Sequence, residues 1–189
     1  LLLLLATGPA LAAQGQDEGG KHLFILSGQS NMRSPLPDAF RSCVEAVFGG
    51  DKVIVVPLAY PSQPIKKWYK DWAPPTGMKD EKPEDNGGIY DKLLVKVRGF
   101  VKKAPLATVT YVWMQGEADA GSGWGSVYEK SFLGVLEQFK ADLDIEEINF
   151  VVGRINDFWV DQEKHPDGER IREIQVKLGE EHANGAWIN

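Results

Sequence analysis

Ser30 stands in the corner Ser27-Gly28-Gln29-Ser30-Asn31-Met32, directly after the apolar run LFIL. A serine at a strand-to-helix corner can expose its hydroxyl and turn its backbone N–H toward the same space. It becomes a nucleophile only when a base within hydrogen-bond reach takes its proton. Gly28 permits the tight backbone that a corner needs. The same serine could also be the N-cap of a following helix. A second polar stretch, Met114-Gln115-Gly116-Glu117-Ala118-Asp119, breaks abruptly from TYVW. Gln115 offers two N–H donors, which can hold an oxyanion. Glu117 and Asp119 bring carboxylates to the same place, or else cap the next helix with Asp119 as N-cap. Between these lies Tyr60-Pro61-Ser62-Gln63-Pro64-Ile65, and further on Gly153-Arg154-Ile155-Asn156-Asp157, where Arg154 can reach an anionic or hydroxylated ligand.

These stretches share one property: each follows a predicted strand. His22 to Leu26, Lys52 to Leu58, Ala107 to Trp113 and Ile148 to Val152 are short apolar runs, and Trp187-Ile188 begins another. Amphipathic segments separate them. Phe40, Val44, Val47 and Phe48 have helical spacing over Asp38 to Phe48, which Gly49-Gly50 ends. Ile89, Leu93, Val97 and Phe100 mark one face of a helix over Ile89 to Lys103. Phe132, Val135, Leu136 and Phe139 do so over Val127 to Leu143, and Ile171, Ile174 and Leu178 over Asp167 to Ala183. Residues 60–87 read as a long loop with one helical turn near Trp68, a length usually found in functional or mobile segments. Alternating strands and helices predict an α/β fold: a three-layer α/β/α arrangement around a parallel sheet of about five strands, helices on both faces. Nearly all-apolar strands such as VIVV suit a sheet buried on both sides. In open sheets of this kind ligands bind beyond the carboxyl ends of the strands, where the polar stretches fall.

The chain has 189 residues, 43% of them hydrophobic and 25% charged, which fits one domain with a sizeable core. A net charge of −6 argues against a nucleic-acid partner. The single cysteine, Cys43, excludes an internal disulfide and a thiolate metal site, and its helical setting predicts a small core residue. H-E-x-x-H and C-x-x-C are both absent, so neither a metal nor an organic cofactor is expected. LLLLLATGPALAAQGQ reads as the apolar core of an export signal with an Ala10-Leu11-Ala12 cleavage site, too short for a membrane span. This predicts a secreted or periplasmic protein with no membrane anchor after cleavage. Residues 1–20 are assigned to leader and flexible N-terminus, and 21–189 to one domain. The apolar run AWIN suggests that the domain continues beyond Asn189.

GQSNM after a first strand, paired with WMQGEADA after a third, resembles the SGNH hydrolase superfamily, which has a flavodoxin-like fold. Within it the chain is similar to the carbohydrate acetylesterases that include sialate O-acetylesterase and acetylxylan esterase relatives. KVIVVPLAYPSQPIKKWYKDW and DGERIREIQ add weaker support. The resemblance implies a serine esterase acting on acetylated carbohydrates. It implies that Ser30 is the nucleophile and its N–H one oxyanion donor, with the Gln115 side chain another. Gln29 and Asn31 would position the serine, Gly116 and Glu117 would shape the site, and Tyr60, Gln63 and Arg154 would meet substrate.

Two departures stand out. Relatives usually carry Gly-Gly before Gln-Pro-Ile, with a glycine N–H completing the oxyanion hole. This chain has Pro61, which lacks an N–H, and Ser62, whose Cβ restricts close approach. Losing one such donor costs ~10²–10³ in kcat, so a catalytically impaired carbohydrate-binding protein is the alternative. The family's base is a histidine in a D-x-x-H block after the last strand. His22 lies at the wrong end of the first strand, His182 on the last helix, and Asp161-Gln-Glu-Lys-His165 has one residue too many. The base and its aspartate are expected beyond Asn189. No G-x-S-x-G is present, which argues against a lipase or protease of that type. Around the site, Trp68 is expected to cover the core, while Tyr60, Trp72, Trp124 and Trp159 fit either packing or a sugar ring. Lys66, Lys67 and Lys70 can bond sugar hydroxyls.

Overall fold

The computed structural model describes residues 19–161 and 163–189; the leader assignment therefore lies outside the described residues. Five strands form one parallel sheet: β1 (Lys21–Gly28), β2 (Val53–Ala59), β3 (Leu106–Met114), β4 (Asn149–Gly153) and β5 (Gly185–Ile188). Their spatial order is β2-β1-β3-β4-β5. The chain steps outward from β1 to β2, then crosses back over β1 to β3 and proceeds to the far edge. β1 therefore sits beside β3, and register aligns Gly28 with both Ala59 and Met114. That alignment brings the ends of three strands, and the polar residues after them, to one rim.

The helices are α1 (Leu36–Phe48), α2 (Gly88–Val101), a short α3 (Glu117–Ser122), α4 (Gly125–Leu143) and α5 (Gly168–Glu181). Side chains alternate across each strand. Leu23, Ile25, Val56, Tyr111, Trp113, Phe150 and Val152 point to one face and pack with Leu93, Val97, Phe132, Phe139, Ile171 and Leu178 from α2, α4 and α5. Phe24, Leu26, Val53 and Val55 point the other way and meet Leu36, Phe40 and Val44 of α1. Helices lie on both faces, as expected, but unequally. The second face has only α1, packed over β1 and β2, and Ile188 on the same face of β5 is 51% exposed.

The apolar spacing locates the helices correctly but overstates their burial at two ends. Val47 on α1 is 75% exposed and Phe100 on α2 is also exposed. Both sit in the last turn of their helices. Cys43 is exposed rather than part of the core. Residues 60–87 hold two 3-10 turns, Ile65–Lys67 and Pro83–Asp85, and are anchored by buried aromatics. Trp68 is fully buried, and its Nε1–H donates to Ser27 Oγ at 2.9 Å, while that hydroxyl donates to Leu58 O at 2.7 Å. One tryptophan thereby ties the loop to the ends of β1 and β2.

Candidate active site

β1 ends in a conformation reserved for glycine. Gly28 has φ +139°, and a Cβ there would lie 2.0 Å from Met114 O. Close contact with β3 continues one residue on, where the Gln29 N–H donates to Met114 O at 2.8 Å. The chain then turns through a 3-10 turn, Ser30–Met32, which exposes Ser30 and buries Met32. Ser30 occupies the first position of that turn, where the helix supplies no acceptor for its N–H. No side-chain cap is made by the residue before it, and Ser30 is itself inside the turn, so it is not an N-cap.

The end of β3 clamps this corner through two side chains. Gln29, almost fully buried, accepts at Oε1 from the N–H groups of Gly116 (3.4 Å) and Ala118 (3.2 Å). Asn31 donates from Nδ2 to Glu117 Oε1 at 2.8 Å. The residues flanking Ser30 on each side are thus fixed to the segment after β3. Ser30, Asn31, Ser62 and Glu117 share a hollow of about 360 Å³, whose far wall includes Asn156 and Trp159. Glu117 is largely buried, and that burial raises its carboxyl above the usual range despite the bond from Asn31.

Gln115 is not on that surface. Its side chain is 0% exposed, and its Nε2 donates to Asp119 Oδ2 and to Gln63 O. The expectation that its N–H groups face the serine is corrected: they are engaged behind the wall. The reason is Asp119, which lies inside α3 rather than capping it and is fully buried. Its Oδ2 also accepts from the Ile65 N–H at 2.9 Å. Gln115 and Asp119 together pin residues 63–65 to the end of β3, one residue from Ser62. Burial pushes the Asp119 carboxyl up to about 7, and its Oδ1 has no partner. Gly116, φ +156°, would place a Cβ 2.9 Å from Ile171 and 3.0 Å from Gln175.

Ser62 lines the hollow with φ +55°, in the left-handed region. Tyr60 and Gln63 do not line it. Lys92 lies over the Tyr60 ring, and Gln63 offers its carbonyl to Gln115. Arg154 lies elsewhere: its guanidinium donates to Asn189 Oδ1 (3.0 and 2.6 Å) over the Trp187 ring, in a separate hollow along α5. Lys66, Lys67 and Lys70 pair with Asp80, Asp85 and Asp91 at 2.6, 2.6 and 2.9 Å. Lys66 also lies over the Trp72 and Trp124 rings, which contact each other, so these aromatics pack the loop against the start of α4.

His22 pairs with Thr108 at the far end of the sheet, and His182 packs against Phe150 there. The His165 ring lies 4.1 Å from that of Trp159, tilted by 49°, and does not line the hollow. Among the described residues no cluster could hold a metal ion, and no helix is long and apolar enough to cross a membrane. Two participants escaped sequence reasoning. Asn156 follows a strand beside Arg154, but the sequence does not say which way it faces. Gln175 donates to Gln115 O and accepts from the Ile155 N–H, both at the strand-end rim, yet it reads as an ordinary polar residue on α5.

The model of a family described as "Carbohydrate esterase, sialic acid-specific acetylesterase" matches residues 36–188, a span that contains Gln115 and Glu117 but not Ser30. No curated protein matches the chain. Solved structures share the fold at low identity. A protein from Arabidopsis thaliana superposes with a TM-score of 0.63 at 16% identity, over 89% of this chain and 85% of that one. NanS gives 0.61 at 15%, over 90% and 77%. A carbohydrate acetylesterase from Xanthomonas citri gives 0.58 at 16%, over 89% and 49%. With the family's model matching well over half of its length, the chain belongs to the sialic acid-specific acetylesterase family of carbohydrate esterases.

Proposed function

We propose that the protein is a secreted or periplasmic serine esterase that removes O-acetyl groups from carbohydrates through an acyl-enzyme. The observation that carries this reading is Ser30 itself: exposed at a strand-end hollow, with both neighbours fixed by the segment after β3. Family membership supports the ester and the sugar, and the leucine-rich leader supports export. In the reaction, a base takes the Ser30 proton as Oγ attacks the acetyl carbonyl. The oxyanion is met by the N–H of Ser30 and that of Ser62, while Gln115 holds the wall behind them. The sugar hydroxyl leaves with a proton, and water releases acetate from the serine. In the proteins this chain resembles the base is the histidine of a D-x-x-H block. His22, His165 and His182 do not line the hollow, and none is given that role.

The test is acetate release from acetylated xylan, O-acetylated sialic acid and p-nitrophenyl acetate. Ser30→Ala should lower turnover by a factor of about 10³ or more. Turnover that survives this substitution defeats the nucleophile assignment. A second reading, a carbohydrate-binding protein with impaired turnover, is favoured by one observation: the Gln115 N–H groups are engaged internally. Sugar binding without acetate release would select it.

A further inference from the structure

We infer, resting on the esterase reading above, that Gln175 of α5 is a positioning residue: it sets the width of the hollow between Ser30 and the opposite wall, and so how the sugar of the ester is held. The two sides of the hollow stand on neighbouring strands. The serine corner is clamped to Gly116, Glu117 and Ala118 after β3, and the far wall, Asn156 and Trp159, follows β4. The ladder between these strands ends at Trp113 and Val152. Beyond it the Gln175 amide lies between the two chains. Its Nε2 donates to Gln115 O at 2.8 Å, and its Oε1 accepts from the Ile155 N–H at 2.9 Å. A side-chain amide can give to a carbonyl and accept from an N–H at once without carrying charge into the core. Here it spaces the two strand ends as a peptide unit would.

Gln175 is fully buried, and Gly116 makes room for it: a Cβ there would lie 3.0 Å from its Nε2. The wall is carried by α5 at both ends. Arg172, one turn before Gln175, donates to Ile155 O, and the Trp159 carbonyl abuts Gly168, where a Cβ would collide with it. The Ile155 side chain is buried, so Asn156 enters the hollow from a fixed peptide. The two partners of Gln175 are not equally dependent on it. Gln115 O has a second donor in the Tyr128 hydroxyl at 2.6 Å, whereas the Ile155 N–H has Gln175 as its acceptor. Losing the amide therefore frees the wall rather than the serine corner.

The experiment measures acetate release by wild type and variants from p-nitrophenyl acetate, an acetylated xylo-oligosaccharide and 9-O-acetyl-N-acetylneuraminic acid. The first has no sugar for the wall to hold. In Gln175→Leu, KM for whichever sugar ester the wild type cleaves faster should rise about tenfold, because the sugar loses its fixed wall. Over the same substitution kcat/KM on p-nitrophenyl acetate should fall no more than about threefold. Arg172→Met releases the other end of the Ile155 peptide at a half-buried position and should raise the same KM about threefold, which keeps the test open if Gln175→Leu does not fold. Val97→Ala, a core substitution on α2 that lowers Tm away from the wall, should keep the wild-type KM. An unmoved sugar-ester KM in the folded variants, or an equal proportional loss on small and sugar esters, overturns the inference and leaves the esterase reading intact. If the wild type cleaves none of the esters, the esterase reading fails. The spacing is then read by calorimetric titration with the xylo-oligosaccharide, and binding no weaker in the variants than in wild type overturns it.

Discussion

Ser62 occupies a backbone conformation that glycine enters without cost, φ +55°, at the edge of the hollow where an oxyanion would be met. A side chain in that region carries ~1–2 kcal/mol of strain. Ser62→Gly should therefore relieve strain and open the approach to the N–H. We expect kcat on p-nitrophenyl acetate to rise about twofold to fivefold, with little change in KM; an unchanged kcat means the existing backbone already meets the substrate. Gln29 makes a different kind of contribution. Its side chain answers two N–H groups of the facing segment, one buried and one half-buried, and Gln29→Ala removes the acceptor of both. A destabilisation of about 1–3 kcal/mol is expected in urea unfolding, with Ser30 reactivity falling alongside. Full activity in that variant would mean the corner holds its shape without the clamp.

At the scale of elements, the rim is made by close contact between β1 and β3. Gly28→Ala would drive a methyl into the Met114 carbonyl, a contact that only backbone movement relieves. The expected loss is roughly 3 kcal/mol, or ~6–12 °C of Tm for a domain of this size; a Tm within 2 °C of wild type, about the smallest shift this account could tolerate, would refute the packing argument. Much of this level was legible in the sequence. Five apolar runs and the intervening helical spacings locate every strand and the four long helices, because burial against a two-sided sheet imposes its own periodicity. The corner serine and its partner stretch were legible for the same reason: polar residues that break an apolar run mark a strand end. The fate of Gln115 was not. Whether an amide faces a hollow or a buried carboxylate depends on Asp119, and Asp119 reads equally well as a cap. Nor was the lopsided layering visible, since helical spacing shows that a helix has an inner face but not which side of the sheet receives it.

For the molecule as a whole, the buried acids set a pH dependence with a definite sign. Burial raises Asp119 to about 7 in the folded chain, against an ordinary value of 3.8, and raises Glu117 in the same direction. Between those values the folded state holds the Asp119 proton that the unfolded chain has released. Its contribution to stability is therefore full below the unfolded value and is lost as pH rises through about 7. Asp119→Asn keeps the acceptor for Ile65 and Gln115 while removing this titration. The drop in Tm from pH 5 to pH 8 should shrink by at least roughly 2 °C; an identical drop in both proteins would exclude Asp119 as its source. The central claim is the reactivity of Ser30, and a fluorophosphonate probe tests it most directly. After incubation, digestion and mass spectrometry, the account predicts one adduct, on the peptide bearing Ser30, and none in Ser30→Ala. An adduct on another residue, or ester turnover with Ser30 unlabelled, would contradict it.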